Sequence, residues 1–351
     1  MATTPETEHR VPVLDGWRGL AVLGVVFDHY VTNHGLNLGR FGVEMFFVLS
    51  GRLMAEILFV RRSPLTVFFP RRFSRIYPAL VCFVILLALF AAATGVFAIS
   101  PSVVLAGLFF TMNYTAIWWD VSPAIDHLWS LAIEEHCYLL LGALAALSRW
   151  QPRFPVRAVV MVLVVLAIGN GAWQTWGEGH RYHNVYWRTD VRGASILMSV
   201  AVFLWWQSAT PKAEWLRWPW TPVLLTIAGT LLNLNAVPDP VKYSVGTLCL
   251  AVAVATLPQV SPLVARVLRS RTLTMFGVGS YSLYLWQQPF SLIEEPAWRY
   301  ASLGLVALLA YASYVLVEKP ARRLLNRWMT PSLHPGRPAI RQPIEPERVA
   351  P

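Results

Sequence analysis

Two ionisable residues, Arg18 and His29, lie eleven positions apart in the first apolar segment of the chain. A helix turns about 100° and rises about 1.5 Å per residue, so both side chains fall on one face, about 16 Å apart along the axis. Ionisable groups are costly inside a bilayer and usually face a protein-lined cavity. A neutral imidazole can act as a general base toward a hydroxyl, or as a nucleophile that carries an acyl group. The spacing predicts that both groups line one wall of a common passage through the protein, where chemistry or transport takes place.

Arg18 has two interpretations. Its long side chain can snorkel to the cytoplasmic interface, or its fixed charge can hold an anion in a polar cavity. Asp15, three residues earlier, can pair with Arg18 under either interpretation. Asp28 adjoins His29 in sequence but points about 100° away from it, so it is a poor candidate for orienting the imidazole.

Two further segments carry charges that could belong to a site. Glu44, in the second apolar segment, is interpreted either as a group solvated at the outer interface or as a member of the site. Arg72 and Arg75 are spaced i, i+3 in a predicted loop, Arg71–Pro78, just before a helix. They either anchor that helix at the cytoplasmic face or bind the phosphates of a donor such as coenzyme A, since guanidinium groups bond phosphate bidentately.

Glu134 and Glu135 form an adjacent carboxylate pair in a predicted span, an arrangement that is costly unless the charges are paired. One could act as an acid/base partner or orient an imidazole, and the other could meet an arginine or water. The nearby His127 and His136 are interpreted as interfacial or packing groups. No metal-ligand spacing surrounds them, so no metal site is predicted.

The composition is that of an integral membrane protein. The chain has 351 residues, 56% hydrophobic and 14% charged, with mean hydropathy +0.48, whereas soluble domains carry nearer a quarter charged residues. The net charge of +10 does not indicate nucleic-acid binding, because most Lys and Arg lie in short loops rather than in a basic stripe. The three cysteines show no paired spacing and predict no disulfide.

Ten apolar segments predict an all-α, polytopic transmembrane helical bundle. A further apolar stretch at 101–118 is predicted to be re-entrant or interfacial. If it does not cross the membrane, both termini are cytoplasmic and the cytoplasmic loops hold most of the Lys and Arg residues, as the positive-inside rule requires. The expected domains are a tail at 1–12, a transmembrane domain at 13–328 and a disordered proline-rich tail at 329–351. The predicted spans are 13–33, 40–59, 78–98, 127–147, 156–176, 190–208, 220–236, 243–258, 279–293 and 300–317.

The chain resembles the acyltransferase 3 family of integral membrane acyltransferases. Six motifs match in family order, up to about residue 325. Each motif is weak alone, but six in order are specific. They are LDGWRGLA from Leu14 with His29 beyond it, FGVEMFFVLSG from Phe41, RRFSRIYP from Arg71, HLWSLAIEE from His127, GSYSLYLW from Gly279 and VEKPARR from Val317.

The resemblance implies a plasma-membrane (inner-membrane) enzyme that takes an acyl group, usually acetyl, from cytoplasmic acyl-CoA. The acceptor is usually a sugar hydroxyl of a surface or exported glycan or a lipid-linked sugar, and some relatives acylate macrolides. By motif match, Arg18 and His29 form the essential first-helix pair. Arg72 and Arg75 match the motif whose natural role is donor binding, and Glu134 matches the family glutamate.

The chain departs from the family pattern at three places. Gln287 stands where the family often has histidine after Tyr-Leu-Trp, which puts a second imidazole in doubt, although glutamine can still hydrogen-bond. Arg52 follows Ser-Gly in place of an apolar residue, and His136-Cys137 replaces Gln-Phe. We expect no hydrolase-like domain of the kind that some relatives carry.

We therefore predict a membrane O-acyltransferase that uses acyl-CoA as a donor substrate, with no permanently bound cofactor. The expected partners are the bilayer, acyl-CoA and a glycan or lipid-linked sugar. Glu134, and less surely Glu44, would set the protonation of His29. The alternatives are acylation of a small molecule such as a macrolide, and a transporter or flippase that uses the buried charges as a substrate path. The catalytic candidates are His29, Arg18, Glu134 and Glu44, and the donor-binding candidates are Arg72 and Arg75.

Overall fold

The computed structural model describes residues 11–31, 35–180 and 182–329. Within these ranges the backbone is helical and contains no β-strand, so the predicted all-α class is confirmed. An isolated antiparallel bridge joins Leu36 to Leu234. The predicted tails lie almost wholly outside the described residues.

The described helices follow one another with short connections. The first nine are α1 (Pro12–Tyr30), α2 (Leu38–Ala55), α3 (Leu65–Thr94), α4 (Pro101–Leu108), α5 (Met112–Trp118), α6 (Trp129–Trp150), α7 (Val156–Ala172), α8 (Tyr182–Tyr186) and α9 (Thr189–Trp206). The others are α10 (Thr221–Leu232), α11 (Asp239–Val241), α12 (Thr247–Thr256), α13 (Pro262–Leu268), α14 (Arg271–Val278), α15 (Ser280–Ser291), α16 (Pro296–Ala312) and α17 (Lys319–Met329). Single π-helical turns extend α2, α7 and α16 and join α11 to α12.

Among the described residues, five helical stretches are long and apolar enough to cross a membrane. They are Leu65–Thr94, Asp126–Trp150, Val156–Gly177, Asp239–Gln259 and Pro296–Met329. Helices α1, α2 and α9 have 18 or 19 residues, but they carry charged side chains such as Arg18, Glu44 and Arg192. Helices α10 and α15 have 12 residues each, about 18 Å, which is less than the ~30 Å hydrocarbon core. Ten full spans therefore stay a prediction.

Helix α3 corrects one sequence prediction. It begins at Leu65, so Arg71–Pro78 is part of a helix and not a loop, and both Pro70 and Pro78 lie inside it. Proline favours the first turn of a helix, and for this reason the sequence predicts a helix that begins only at Pro78. The helix is held there by α17, because the Ser74 hydroxyl donates to Oδ1 of Asn326 over 2.7 Å.

The segment at 101–118 forms two short helices, α4 and α5. They are separated by a break in which Phe110 has φ +57°, a left-handed conformation that interrupts any continuous helix. With eight and seven residues, neither reaches the length of a span. This form is compatible with the predicted re-entrant or interfacial segment.

Helix α2 is packed closely between α1 and α9, because glycines remove the side chains at the contacts. A Cβ atom on Gly42 would lie 2.5 Å from the carbonyl oxygen of Ala21, and one on Gly51 would lie 2.2 Å from that of Ile196. Trp17 Nε1 also donates to the carbonyl of Met45 over 3.0 Å. Gly51 thus brings α2 close to α9, whereas Gly42 and the Trp17 hydrogen bond fix α1 against α2.

Candidate active site

Arg18 lies near the start of α1 and is partly buried. Its Nη1 atom is 3.2 Å from Oδ1 of Asp15, so the predicted i, i+3 pair is present. Arg72 and Glu134 lie close enough to interact with it electrostatically. These contacts do not support the interpretation that the Arg18 side chain extends to the membrane interface, because other charged side chains of the protein lie beside it.

Arg72 and Arg75 lie on α3 beside Arg18 and form a guanidinium cluster with it. The Cζ atom of Arg72 is 3.9 Å from the ring centroid of Tyr138. The electrostatic neighbours of Arg75 include Arg18 and Arg72. The carboxylates of Asp15, Glu134 and Glu318 lie among these guanidinium groups and partly compensate their charge. Several guanidinium groups in one place are nevertheless suited to bind a phosphate, which they can bond bidentately.

Arg322, from α17, extends this guanidinium cluster, and the sequence analysis did not assign it to the site. It is an electrostatic neighbour of Arg75, as is the carboxylate of Glu318, which accepts a 2.9 Å hydrogen bond from Ser282. In the sequence, Arg322 belongs to the VEKPARR motif, which supports the family resemblance but indicates no role for this arginine.

Glu134 lies with the guanidinium cluster. Its oxygens accept hydrogen bonds from the Ser50 hydroxyl over 2.9 Å and the Tyr138 hydroxyl over 2.8 Å. From the sequence, Glu134 was expected to set the protonation of His29, whereas it lies near Arg18, toward the other end of α1. A catalytic role for Glu134 stays a prediction, now with Arg18 and Arg72 as its neighbours.

Glu44 is completely buried, so its interpretation as a group solvated at an interface is wrong. Its carboxylate accepts hydrogen bonds from Arg192 and Thr247. The Arg192 guanidinium is also completely buried and lies 3.7 Å from the ring centroid of Tyr243 and 4.8 Å from that of Tyr186. Arg192 therefore connects Glu44 to the ring of Tyr186, which lines the cavity beside His29. Its role in catalysis stays a prediction.

His29 lies near the end of α1, and its partner is a glutamine 258 residues away. Nδ1 of His29 is 2.8 Å from Oε1 of Gln287 on α15. The hydrogen-bonding role left open for Gln287 is therefore filled, and neither Glu134 nor Glu44 is the group that holds the ring.

The direction of this hydrogen bond follows from its neighbours. A backbone carbonyl can only accept, so Nε2 of Gln288 must donate to the carbonyl of Pro123, 3.0 Å away. Oε1 of Gln288 then faces Gln287 and accepts from its Nε2 over 3.3 Å. This leaves Oε1 of Gln287 to accept from Nδ1–H of His29. The relay Pro123–Gln288–Gln287–His29 thus leaves the lone pair on Nε2, where a base needs it.

A cavity of about 300 Å³ opens beside His29. None of Arg18, Arg72 and Arg75 lines it, so the expected common passage is not open in this structure. Val22, one turn before the cavity, is completely buried and packs with Leu283. The cavity is lined by Val25, Asp28, His29, Asn37, Gly39, Arg40, Val43, Asp126, His127, Trp129, Tyr182, His183, Tyr186, Trp187, Tyr284 and Gln288.

The arrangement is polarised along α1. One end presents guanidinium groups to an anion, and the other presents a neutral imidazole with a free Nε2 lone pair in a polar and aromatic cavity. Across the described part of the chain, no group of three or more His, Cys, Asp or Glu could hold a metal ion. The chemistry that suits this arrangement is base-assisted attack by a hydroxyl, with an anionic group held at a distance.

Comparison with known proteins agrees with this chemistry. The family model described as an acyltransferase domain matches residues 11–317. O-acetyltransferase OatA of Staphylococcus aureus (strain NCTC 8325 / PS 47) is 29% identical over 89% of the chain and 57% of its own length. Peptidoglycan O-acetyltransferase OatA of Listeria monocytogenes is 27% identical over 92% of the chain and 57% of its own length. The chain thus spans little more than half of these relatives. No solved structure matches it.

Proposed function

The chain belongs to the acyltransferase 3 family, and from this premise we propose that it transfers an acetyl group from acetyl-CoA to a sugar hydroxyl of a surface or exported glycan. The relatives are named O-acetyltransferases, and one of them is named for peptidoglycan. Because the chain matches 57% of their length, their acceptor is carried over only as part of this proposal.

The observation that carries the proposal is the 2.8 Å contact between Nδ1 of His29 and Oε1 of Gln287, from which the tautomer of His29 is inferred. Its Nδ1–H is held by Gln287, so Nε2 is free to take a proton in the cavity. The acceptor oxygen attacks the thioester carbonyl and its proton passes to Nε2. The C–S bond then breaks, and the departing thiolate takes the proton back from the imidazole as free coenzyme A is formed.

The separation of the two ends of α1 suits the donor. Coenzyme A carries its phosphates at one end of a long flexible arm and its thioester at the other. The guanidinium cluster of Arg18, Arg72 and Arg75 would bind the phosphates, and the arm would carry the acetyl group along α1 toward His29, about 16 Å away. This route requires the wall at Val22 to open, since Val22 is completely buried.

The membrane arrangement completes the proposal. Ten spans with both termini in the cytoplasm would place the start of α1, and therefore the guanidinium cluster, at the cytoplasmic face. The cavity at His29 would then lie toward the opposite face of the plasma membrane. Donor and acceptor would approach from opposite sides.

The test uses the full chain, purified in lipid nanodiscs, with radiolabelled acetyl-CoA and glycan from cells that lack this gene. Label should move to the glycan and be released by mild alkali, as expected of an O-ester. A transporter would move substrate without consuming acetyl-CoA. Absence of labelled glycan with the intact protein would contradict the proposed function.

A further inference from the structure

His127 is a buried imidazole whose ring nitrogens make no hydrogen bond of good geometry with the described residues. Its side chain lies in the wall of the His29 cavity, and the residue is 4% exposed. Neither ring nitrogen makes a hydrogen bond of good geometry within the described part of the chain, and the backbone of Leu285 makes at most a weak polar contact with the ring. Buried polar atoms are almost always hydrogen-bonded. An unpartnered imidazole beside a base therefore indicates a group that receives a ligand.

The position of His127 is fixed by its neighbours and not by its ring nitrogens. Its backbone carbonyl accepts a 2.5 Å hydrogen bond from the Tyr284 hydroxyl, and the rings of Tyr284 and Phe83 pack edge-on against the imidazole at 5.2 and 5.6 Å. Aromatic contacts hold the ring in place and leave its nitrogens available. This arrangement leaves buried ring nitrogens without a hydrogen bond of good geometry, a cost that a purely structural residue would not require.

Across the cavity, aromatic side chains form a wall. The rings of Trp129 and Trp187 are nearly parallel, with centroids 6.0 Å apart, and those of Tyr182 and Tyr186 are stacked at 4.7 Å. The backbone at Trp187 is fixed by Asn113, whose Nδ2 donates to its carbonyl over 3.1 Å. Aromatic faces carry negative charge density and attract the slightly positive C–H groups of a ligand.

Polar side chains also line the cavity, beside the small or aliphatic residues Val25, Gly39 and Val43. Asp28, Asn37, Asp126 and His183 supply carboxylate, amide and imidazole groups around the cavity. A ligand that has flat C–H faces and many hydroxyl groups matches both kinds of lining. A sugar ring has this character, whereas a largely aliphatic macrolide ring would leave the polar groups unpaired.

We propose that the His29 cavity is the acceptor subsite, in which a sugar ring lies against the aromatic wall of Trp187 and Trp129 and a hydroxyl group is bonded by His127. This inference rests on the proposed function. His29 removes a proton, whereas His127 binds the acceptor, so the two imidazoles have separable kinetic effects.

The test compares variants of the full-length protein in nanodiscs, with acetyl-CoA as donor and glycan from cells lacking this gene as acceptor. His127→Ala should raise the KM for the glycan about tenfold, because one hydrogen bond in a buried site is lost. The KM for acetyl-CoA should not change. His127→Gln, which can still donate and accept, should recover part of the loss.

The matched control is His136, on the same helix as the cavity residue Trp129. Nδ1 of His136 is already bonded to the Thr189 hydroxyl at 2.8 Å, and the residue does not line the cavity. His136→Ala should therefore leave both KM values unchanged. Trp187→Ala should raise the glycan KM, and Trp187→Phe should restore most of it because it keeps an aromatic face.

The outcomes separate the two proposals. An unchanged glycan KM in both His127→Ala and Trp187→Ala overturns the acceptor subsite and leaves the proposed function in place. A change confined to the KM for acetyl-CoA also overturns it, since it would place His127 at the donor. If the intact protein moves no acetyl group to this glycan, the proposed function fails and the inference fails with it. If the His127→Ala protein does not accumulate, the KM for the glycan measured in His127→Gln, Trp187→Ala and Trp187→Phe tests the acceptor subsite instead.

Discussion

Gln287→Leu is the substitution that tests the hydrogen-bond relay to His29 most directly. It removes the acceptor of the 2.8 Å bond from Nδ1–H and leaves that buried donor unpaired. An unpaired buried donor costs about 1–3 kcal/mol. If the cost falls on the reactive form of the imidazole, the rate falls about 5- to 150-fold, since about 1.4 kcal/mol is a factor of ten. The measurement is kcat for acetyl transfer in nanodiscs, with the KM for acetyl-CoA expected to be unchanged.

Gln288→Leu tests whether the effect passes through the relay. The bond from Gln287 to Gln288 is longer, 3.3 Å, so its loss is expected to cost about 0.5–1 kcal/mol and to lower kcat about 2- to 5-fold. Because Gln288 reaches the ring of His29 through Gln287, the double variant should have a kcat no lower than that of Gln287→Leu alone. Gln288 also lines the cavity, so a direct contact with the acceptor should change the KM for the glycan instead. Gln287→His should keep most of the activity, since one imidazole nitrogen can accept from His29 while the other donates to Gln288.

Two results would refute this reasoning. Additive losses in the double variant would mean that Gln288 acts independently of Gln287. A Gln287→Leu enzyme with full kcat would mean that the tautomer of His29 is set by something else. In either case the assignment of Nε2 as the proton acceptor would lose its support.

Three other substitutions give distinct outcomes. His29→Ala should lower acetyl transfer at least about 100-fold with unchanged protein in membranes, and acetyl transfer at the normal rate would exclude it as the base. Arg75→Ala should raise the KM for acetyl-CoA about 10- to 100-fold, as expected for a lost charged hydrogen bond. Arg71 is an exposed neighbour, and Arg71→Ala should change this KM less than about 2-fold. Equal effects of the two substitutions on the KM would argue against a specific donor site. Glu44→Gln should lower the free energy of unfolding by about 3–5 kcal/mol because it leaves the charge of Arg192 buried and unpaired. The loss should appear as a lower melting temperature in detergent. An unchanged melting temperature would argue against a stabilising ion pair between Glu44 and Arg192.

The parts of the site that depend on local spacing could be predicted from the sequence. The pairing of Asp15 with Arg18 follows from helical geometry alone, and so does the face shared by Arg18 and His29. The i, i+3 relation of Arg72 and Arg75 survives even though the predicted loop is part of α3, because the helix keeps the two side chains together.

The partners from distant segments could not be predicted. Gln287 lies 258 residues from His29, and Arg192 lies 148 residues from Glu44, so no local period connects either pair. The carboxylates illustrate the problem, because a buried Glu must find a cation but its sequence does not say which one. Glu134 was placed beside the imidazole on chemical plausibility, and the fold instead gives it Ser50 and Tyr138.

A neutral amide is a suitable partner for His29 in this position. A carboxylate would stabilise the protonated imidazole, but it would also add a buried negative charge beside a cavity that Asp28 and Asp126 already line. The amide of Gln287 carries no charge, and its orientation is imposed by Gln288 and ultimately by the carbonyl of Pro123, which can only accept. The relay therefore fixes which nitrogen is basic without raising the cost of burial. Its direction is set by the backbone, so the base remains correctly presented whichever acceptor occupies the cavity.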